Sequence, residues 1–253
     1  MLDAESVSEM LELVSDPTLA RKRSKDISCL RGIRGTPNRE LAQATSAAWL
    51  ESRPKLPRDE DDLSTLFMTA WEDGMVAIGL LAALVPDSPQ DVLDIGRDWA
   101  ERMDDRVTAD TLGWMVLGPA SLACGEPPHQ SLGAMLQHRR PEVRRAAVMA
   151  GLALLPESLS GPSAAALRTR LGVSEIRFVA EPLSPWLNEL ATACWRDDNP
   201  AVRKATRRVL SAWALHDPDA ATEWMSHVKG GLPKMLRDGM EKSARKGRRR
   251  KTE

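Results

Sequence analysis

The stretch "PAVRKATRRVLSAWAL" (Pro200–Leu215), read beside "PEVRRAAVMAGLALL" (Pro141–Leu155), decides the fold. Both begin with proline, whose fixed φ suits the first position of a helix, and both continue x-V-R-[R/K]-A. Advancing about 100° per residue from Val143 and Val202, Ala146, Ala147, Ala150 and Leu154 fall on the same stripe as Ala205, Thr206, Val209 and Trp213. Each segment therefore predicts a helix with one packing stripe rich in small residues. Cations occupy the other side: Arg144 and Arg145 in the first copy, Arg203, Lys204, Arg207 and Arg208 in the second.

A stripe of small residues lets a neighbouring helix come close, and one such helix per unit, preceded by a shorter amphipathic one, resembles a HEAT-like repeat. The copies are 59 residues apart. The usual period is about 40–47, so an insertion or another helix pair lies between them. Composition agrees with a helical chain. The 253 residues are 42% apolar, with eight Trp, two Phe and no Tyr, and straight-chain residues lose little rotamer freedom in a helix.

Periodicity predicts helices near 4–15, 17–29, 37–51, 62–85, 89–102, 106–123, 129–139, 141–155, 162–170, 185–196, 199–215 and 217–228. "ESRPKLPRDEDD" (Glu51–Asp62) and "ACGEPPH" (Ala123–His129) read as exposed loops, and residues 156–184 as an insertion between packed helices. The expected architecture is all-α, a single right-handed α-solenoid of HEAT-like repeats over residues 1–230. Residues 231–253 read as a basic, disordered tail, because the apolar positions thin out there.

The formal net charge of −1 conceals an uneven distribution. Residues 229–253 hold ten Lys/Arg against three Asp/Glu, so the body carries a net −8. No run of about 18 uncharged apolar residues exists, which excludes a membrane span by helix. The acidic start "MLDAESVSEMLELVSDP" (Met1–Pro17) lacks the basic flank and apolar core of a signal peptide, so a cytoplasmic protein is expected. Cys29, Cys124 and Cys194 are far apart with no CxxC and read as reduced, buried thiols. The histidines His129, His138, His216 and His227 show no metal-ligand spacing, so neither a metal site nor a cofactor is expected.

Helix N-termini project unsatisfied N–H groups and a partial positive charge, so cations in a first turn oppose the dipole. Repeating that opposition at two helix starts points to an anionic ligand, and phosphate suits guanidinium forks and helix-terminal amides together. The structural alternative is that each arginine bridges to an acid of the adjacent unit, for which Asp197 and Asp198 are placed.

Five segments, in order, resemble the HEAT-like DNA alkylation-repair glycosylases. They are "GIRGTPNRELAQ" (Gly32–Gln43), "AWEDGMVAIGLLAALV" (Ala70–Val85), "DWAERMDDRVTADTLG" (Asp98–Gly113), "RRPEVRRAAVMAGLALL" (Arg139–Leu155) and "VRKATRRVLSAWALHDPDAATEWM" (Val202–Met225). The resemblance implies removal of N3- and N7-alkylated purines, whose cationic base leaves without a general acid. A carboxylate near the sugar then stabilises oxocarbenium character or positions water. Counting back from Gly113, the family's aspartate falls on Asp105, beside Asp104. Glu101 and Arg208 stand where the family carries tryptophans, and Trp99 and Trp213 are read as core.

Two readings follow from these residues. One is a monomeric protein that binds duplex DNA by its phosphates through Arg39, Arg144, Arg145, Arg203, Lys204, Arg207 and Arg208, assisted by the basic tail. It would recognise damage or shape rather than base edges, and its sharper version is a glycosylase using Asp105. The other is a non-enzymatic scaffold of the same architecture that grips a protein partner, which the acidic body favours.

Overall fold

The structure, a computed structural model, describes residues 2–124, 128–155, 187, 190, 192–228 and 232–252, and every regular element among them is helical. The chain runs α1 (Ala4–Leu13), α2 (Pro17–Arg23), α3 (Asn38–Ser52), α4 (Glu60–Thr69), α5 (Trp71–Ala83), α6 (Pro89–Arg102) and α7 (Arg106–Leu112). It continues through a π-helical turn (Gly113–Leu117) into α8 (Gly118–Ala123), α9 (Pro128–Leu136), α10 (Pro141–Ala150) and a 3₁₀ turn (Gly151–Leu154). Three further helices follow: α11 (Pro200–His216), α12 (Pro218–His227) and α13 (Lys234–Thr252). The helix expected at 162–170 and most of the insertion lie outside the described residues, whereas Leu187, Leu190 and residues 192–194 of the segment 185–196 are helical.

Side-chain caps start many of these helices. Asp3, Asp16, Asp105, Asn199 and Asp217 each accept first-turn N–H groups. Such a cap contributes about 1 kcal/mol.

The helix expected over 62–85 is two helices. Ala70 is extended, with φ −132° and ψ 173°, although alanine is the best helix former. The interruption comes from outside: the loop before α3 fills it, as Arg31 donates to the Phe67 carbonyl and the Trp71 N–H donates to the Gly32 carbonyl at 3.0 Å. One carbonyl and one N–H freed by the break are thereby satisfied. α5 is then buried almost throughout, from Trp71 to Ala83, and forms the centre of the amino-terminal half.

The small-residue stripes behave as their spacing predicts. Ala146, Ala147 and Ala150 of α10 are buried, as are Ala205, Thr206, Val209 and Trp213 of α11. The facing element supplies its own small residues. A Cβ on Gly113 would run into the Ala146 carbonyl oxygen, and one on Gly118 would lie 2.5 Å from the Ala150 carbonyl oxygen. Backbone-to-backbone approach is what these glycines permit. Pro119 has no N–H to donate within this turn, which accompanies the wider π winding before it. α10 consequently packs on α7 and the π turn on one side and on α11 on the other.

The tail expected to be disordered is the 19-residue helix α13, packed against α11 and α12. Leu236, Met240 and Ala244, spaced by four, are buried in the main core, and Gly247 sits against the Leu215 carbonyl. Three or four residues on one stripe suffice because the rest of α13 stays in water. Among the described residues no helix is long and apolar enough to cross a membrane.

Candidate functional site

The site is assembled from the loop between α2 and α3 outward. Glu72 and Asp73, fully buried in the first turn of α5, hold this loop. Glu72 accepts from the Arg34 and Gly35 N–H groups at 2.9 Å each and pairs with Arg23 at 2.7 Å. Asp73 pairs with the Arg34 Nε at 2.7 Å. Two buried carboxylates are tolerable because two guanidiniums neutralise them and a helix N-terminus faces them. Gly35, at φ +85°, passes the Asp16 carbonyl too closely for any side chain.

This anchored loop delivers Arg31 to the start of α7. The Arg31 guanidinium lies 5.0 Å from the Phe67 ring, which stacks on Trp99 with centroids 4.3 Å apart and planes 10° from parallel. Its Nη2 is 3.5 Å from Asp105 Oδ2 and its Nε is 3.6 Å from Asp104 Oδ1. Asp105 caps α7: Oδ1 accepts from the Val107 and Thr108 N–H groups at 2.8 and 2.9 Å, and Oδ2 from the Thr108 hydroxyl at 2.5 Å. Its side chain is 1% exposed. The carboxylate assigned by resemblance to the chemistry is thus a buried cap clasped by an arginine.

Immediately beyond Asp105, α7 and α11 enclose a cleft of about 470 Å³. Among the described residues, Arg106, Arg145, Lys204, Arg207 and Arg208 line it, with Asp110 as the single acid and Val107, Ala201, Ala205 and Ser211 between them. Lys204 and Arg208 are exposed and Arg207 half-buried. Lys204 and Arg207 make no ion pair among the described residues. Arg208 stands 3.8 Å from Asp110 with its side chain 59% exposed, a weak, solvent-screened contact. Concentrated positive charge in a concave site attracts polyanions despite the acidic body.

The other expected cations are placed differently. Arg144 is held on Asp197 by two hydrogen bonds, Nε at 2.7 Å and Nη2 at 2.8 Å, and also reaches Asp198 at 3.1 Å and the His138 carbonyl at 2.8 Å. Burial alone would push the Asp197 carboxyl up, but the Arg144 bonds and the Asn199 N–H outweigh it and hold it below the usual carboxylate range. The Arg144 guanidinium is correspondingly held above its ordinary value, first by its hydrogen bond to Asp197. Arg203 caps the carbonyls of Asp197 and Asp198 at 2.6 and 2.9 Å. Arg39 is exposed on α3, outside the lining of the cleft. Of the seven cations, four (Arg145, Lys204, Arg207 and Arg208) therefore meet in one place.

Trp99 and Trp213 are core residues, Trp213 meeting Trp224 edge to face at 5.9 Å. Glu101 is exposed, and its carbonyl is bound by Arg140. Cys194 is buried, and burial pushes its thiol up to about 12, while Cys29 and Cys124 are half-buried. Cys29 Sγ and one oxygen each of Asp104 and Asp105 lie within 4.8 Å of one another. Arg31 already neutralises the two carboxylates and burial pushes the Cys29 thiol up, which leaves little there to attract a cation.

Sequence reasoning missed Arg31, Arg106 and Asp110. Arg106, whose Nη2 donates to the Asp26 carbonyl at 2.9 Å, was legible as the residue following the cap. The Arg31 clasp spans 74 residues and had no local signal. The model of a family described as DNA alkylation repair enzyme matches residues 7–242 of the chain. No curated protein matches it.

Proposed function

The chain belongs to the DNA alkylation repair enzyme family, and from that premise we propose that the cleft between α7 and α11 grips the sugar-phosphate backbone of duplex DNA. The layered helices would form a HEAT-like α-solenoid with this cleft on its inner wall. One observation carries the reading: among the described residues, Lys204 and Arg207 stand without ion pairs in a cleft where five cations face one carboxylate. Side chains of this kind contact phosphates and position a duplex without reading its sequence, so recognition would rest on shape and deformability. Arg144 and Arg203, committed to Asp197 and Asp198, would hold the adjoining helices in place instead.

The experiment is a titration of a short duplex over a range of salt concentrations with the whole chain and its Lys204→Gln/Arg207→Gln/Arg208→Gln variant. Each phosphate contact contributes a slope of about 0.9 in log affinity against log salt. The variant should bind more weakly with a shallower slope. Equal binding by both proteins, or no binding at low salt by either, would reject the cleft and favour a protein-interaction scaffold.

Excision is a second reading, supported by the position of Asp105 directly before Arg106 at the edge of the cleft. An alkylated purine leaves as a neutral base, so the chain need supply only a carboxylate near the sugar. For Asp105 to serve, Arg31 and the Thr108 hydroxyl would have to release it. Release of 7-methylguanine or 3-methyladenine from alkylated DNA by the whole chain, abolished in Asp105→Asn, is the expected result. Release that persists in a folded Asp105→Asn variant would remove Asp105 from the chemistry.

A further inference from the structure

We infer that the carboxyl-terminal half of α13 is a second phosphate-binding face, continuous with the cleft, which extends the duplex footprint along α11; this rests on the cleft reading above. The buried stripe of α13 is Leu236, Met240, Ala244 and Gly247. At about 100° per residue, Lys242, Arg245, Lys246 and Arg249 fall within a roughly 100° arc on the opposite side. All four are exposed. Asp238 and Glu241 belong to the first half of the helix, and from Lys242 to Thr252 there are seven cations and no acid. Lys242, Arg245 and Lys246 make no ion pair among the described residues, whereas Arg248 turns to Asp219 of α12 at 3.2 Å.

Continuity comes from α11. Lys204, Arg208, Ser211 and Leu215 lie within about 60° of one another around its axis. The first three line the cleft. Leu215 is the floor of a separate hollow of about 710 Å³, whose rim is Lys242, Ser243, Arg245, Lys246 and Arg249. Gly239 beside Ser211 and Gly247 against the Leu215 carbonyl bring α13 alongside this flank in the same sense. The two cationic hollows are therefore successive stations on one flank, about 20 Å long, or roughly six base pairs of duplex. An apolar floor under a cationic rim suits deoxyribose faces and phosphates together. Arg245, Lys246 and Arg249 lie beyond the residues that the family's model matches.

The test compares the whole chain with Lys242→Gln/Arg245→Gln/Lys246→Gln in the same salt-dependent titration, on a duplex of about 25 base pairs. The variant slope should fall by about 2–3, with affinity at low salt weaker by roughly tenfold or more. Lys242→Arg/Lys246→Arg should retain the wild-type slope. Helical circular dichroism and the melting midpoint identify a misfolded triple variant; single Lys242→Gln and Lys246→Gln changes then each lower the slope by about 0.9. An unchanged slope in folded variants overturns this inference and leaves the cleft standing. Absence of salt-sensitive duplex binding by the wild-type chain overturns both. An unchanged duplex slope together with charge-dependent retention on phosphatidylserine vesicles assigns the face to a lipid surface and also overturns it.

Discussion

Arg145 of α10 holds Asp110 of α7 through two parallel hydrogen bonds, Nε to Oδ1 at 2.6 Å and Nη2 to Oδ2 at 2.8 Å. Its third nitrogen, Nη1, donates to the Ala201 carbonyl in the first turn of α11. One guanidinium thus ties three helices at the base of the cleft, and the carboxylate it binds is the only acid lining that cleft among the described residues. Stability and anion affinity make opposite demands on Asp110.

Asp110→Asn separates the two demands. Removing one partner of a largely buried pair costs about 3 kcal/mol. For a chain of this size that lowers the melting midpoint by roughly 6–12 °C. The same change removes the Asp110 charge from the cleft and releases Arg208, so duplex affinity should rise and the salt slope steepen by about 1. Thermal melting and a salt-dependent titration on one preparation check both signs.

Lys204 and Arg144, both read from the sequence as ligand cations, should respond in opposite ways. Lys204→Gln touches an exposed side chain, so its melting midpoint should stay within about 2 °C of wild type while its salt slope falls by about 0.9, equally for unrelated duplex sequences. Arg144→Gln strands Asp197 and should cost about 3 kcal/mol with no change in slope. A fall in slope for Arg144→Gln would show that the Asp197 pair opens to bind phosphate.

The Asp197 pair also fixes a pH dependence. Its folded carboxyl lies below the unfolded range, so its stabilisation is complete above about pH 4 and is lost as pH falls through the folded value. Asp197→Asn should therefore melt several degrees below wild type at pH 7, with the gap closing as the pH drops below about 4. A gap that persists undiminished into stronger acid would mean that the carboxylate charge is not what Arg144 requires.

Two glycines give opposite signs under one substitution. Gly113→Ala forces a methyl group into the Ala146 carbonyl and should destabilise by about 1–3 kcal/mol. Gly133 of α9 has nothing among the described residues within 4 Å of an added Cβ, and Gly133→Ala should stabilise by up to about 1 kcal/mol. Chemical denaturation of the two variants against wild type measures both.

What could be read in advance tracks how local its cause is. The stripes of α10 and α11 were legible because burial of Ala146, Ala150, Ala205 and Val209 leaves a 3.6-residue period. The break at Ala70 was not, since nothing near it disfavours a helix and the loop that interrupts it lies some 40 residues earlier. Within the site, Lys204, Arg207 and Arg208 share one helix and were found together, whereas Arg31 meets Asp105 only through the tertiary fold. Sequence alone left open whether Arg144 faced a ligand or Asp197, because both choices place a cation at the same helical position; geometry pairs it with Asp197. The end of the chain was misjudged because its charge content outweighed a sparse but regular apolar period at Leu236, Met240 and Ala244.

That last misjudgement has a practical side. An experimenter who trims the chain where its amino-acid content turns basic, near residue 230, would saw through the hydrophobic interior rather than remove an accessory appendage. Leu236, Met240 and Ala244 would leave with the fragment, and the flank of α11 they cover would face solvent. The shortened protein should be sticky and poorly soluble, even though it has shed an unusually water-loving segment.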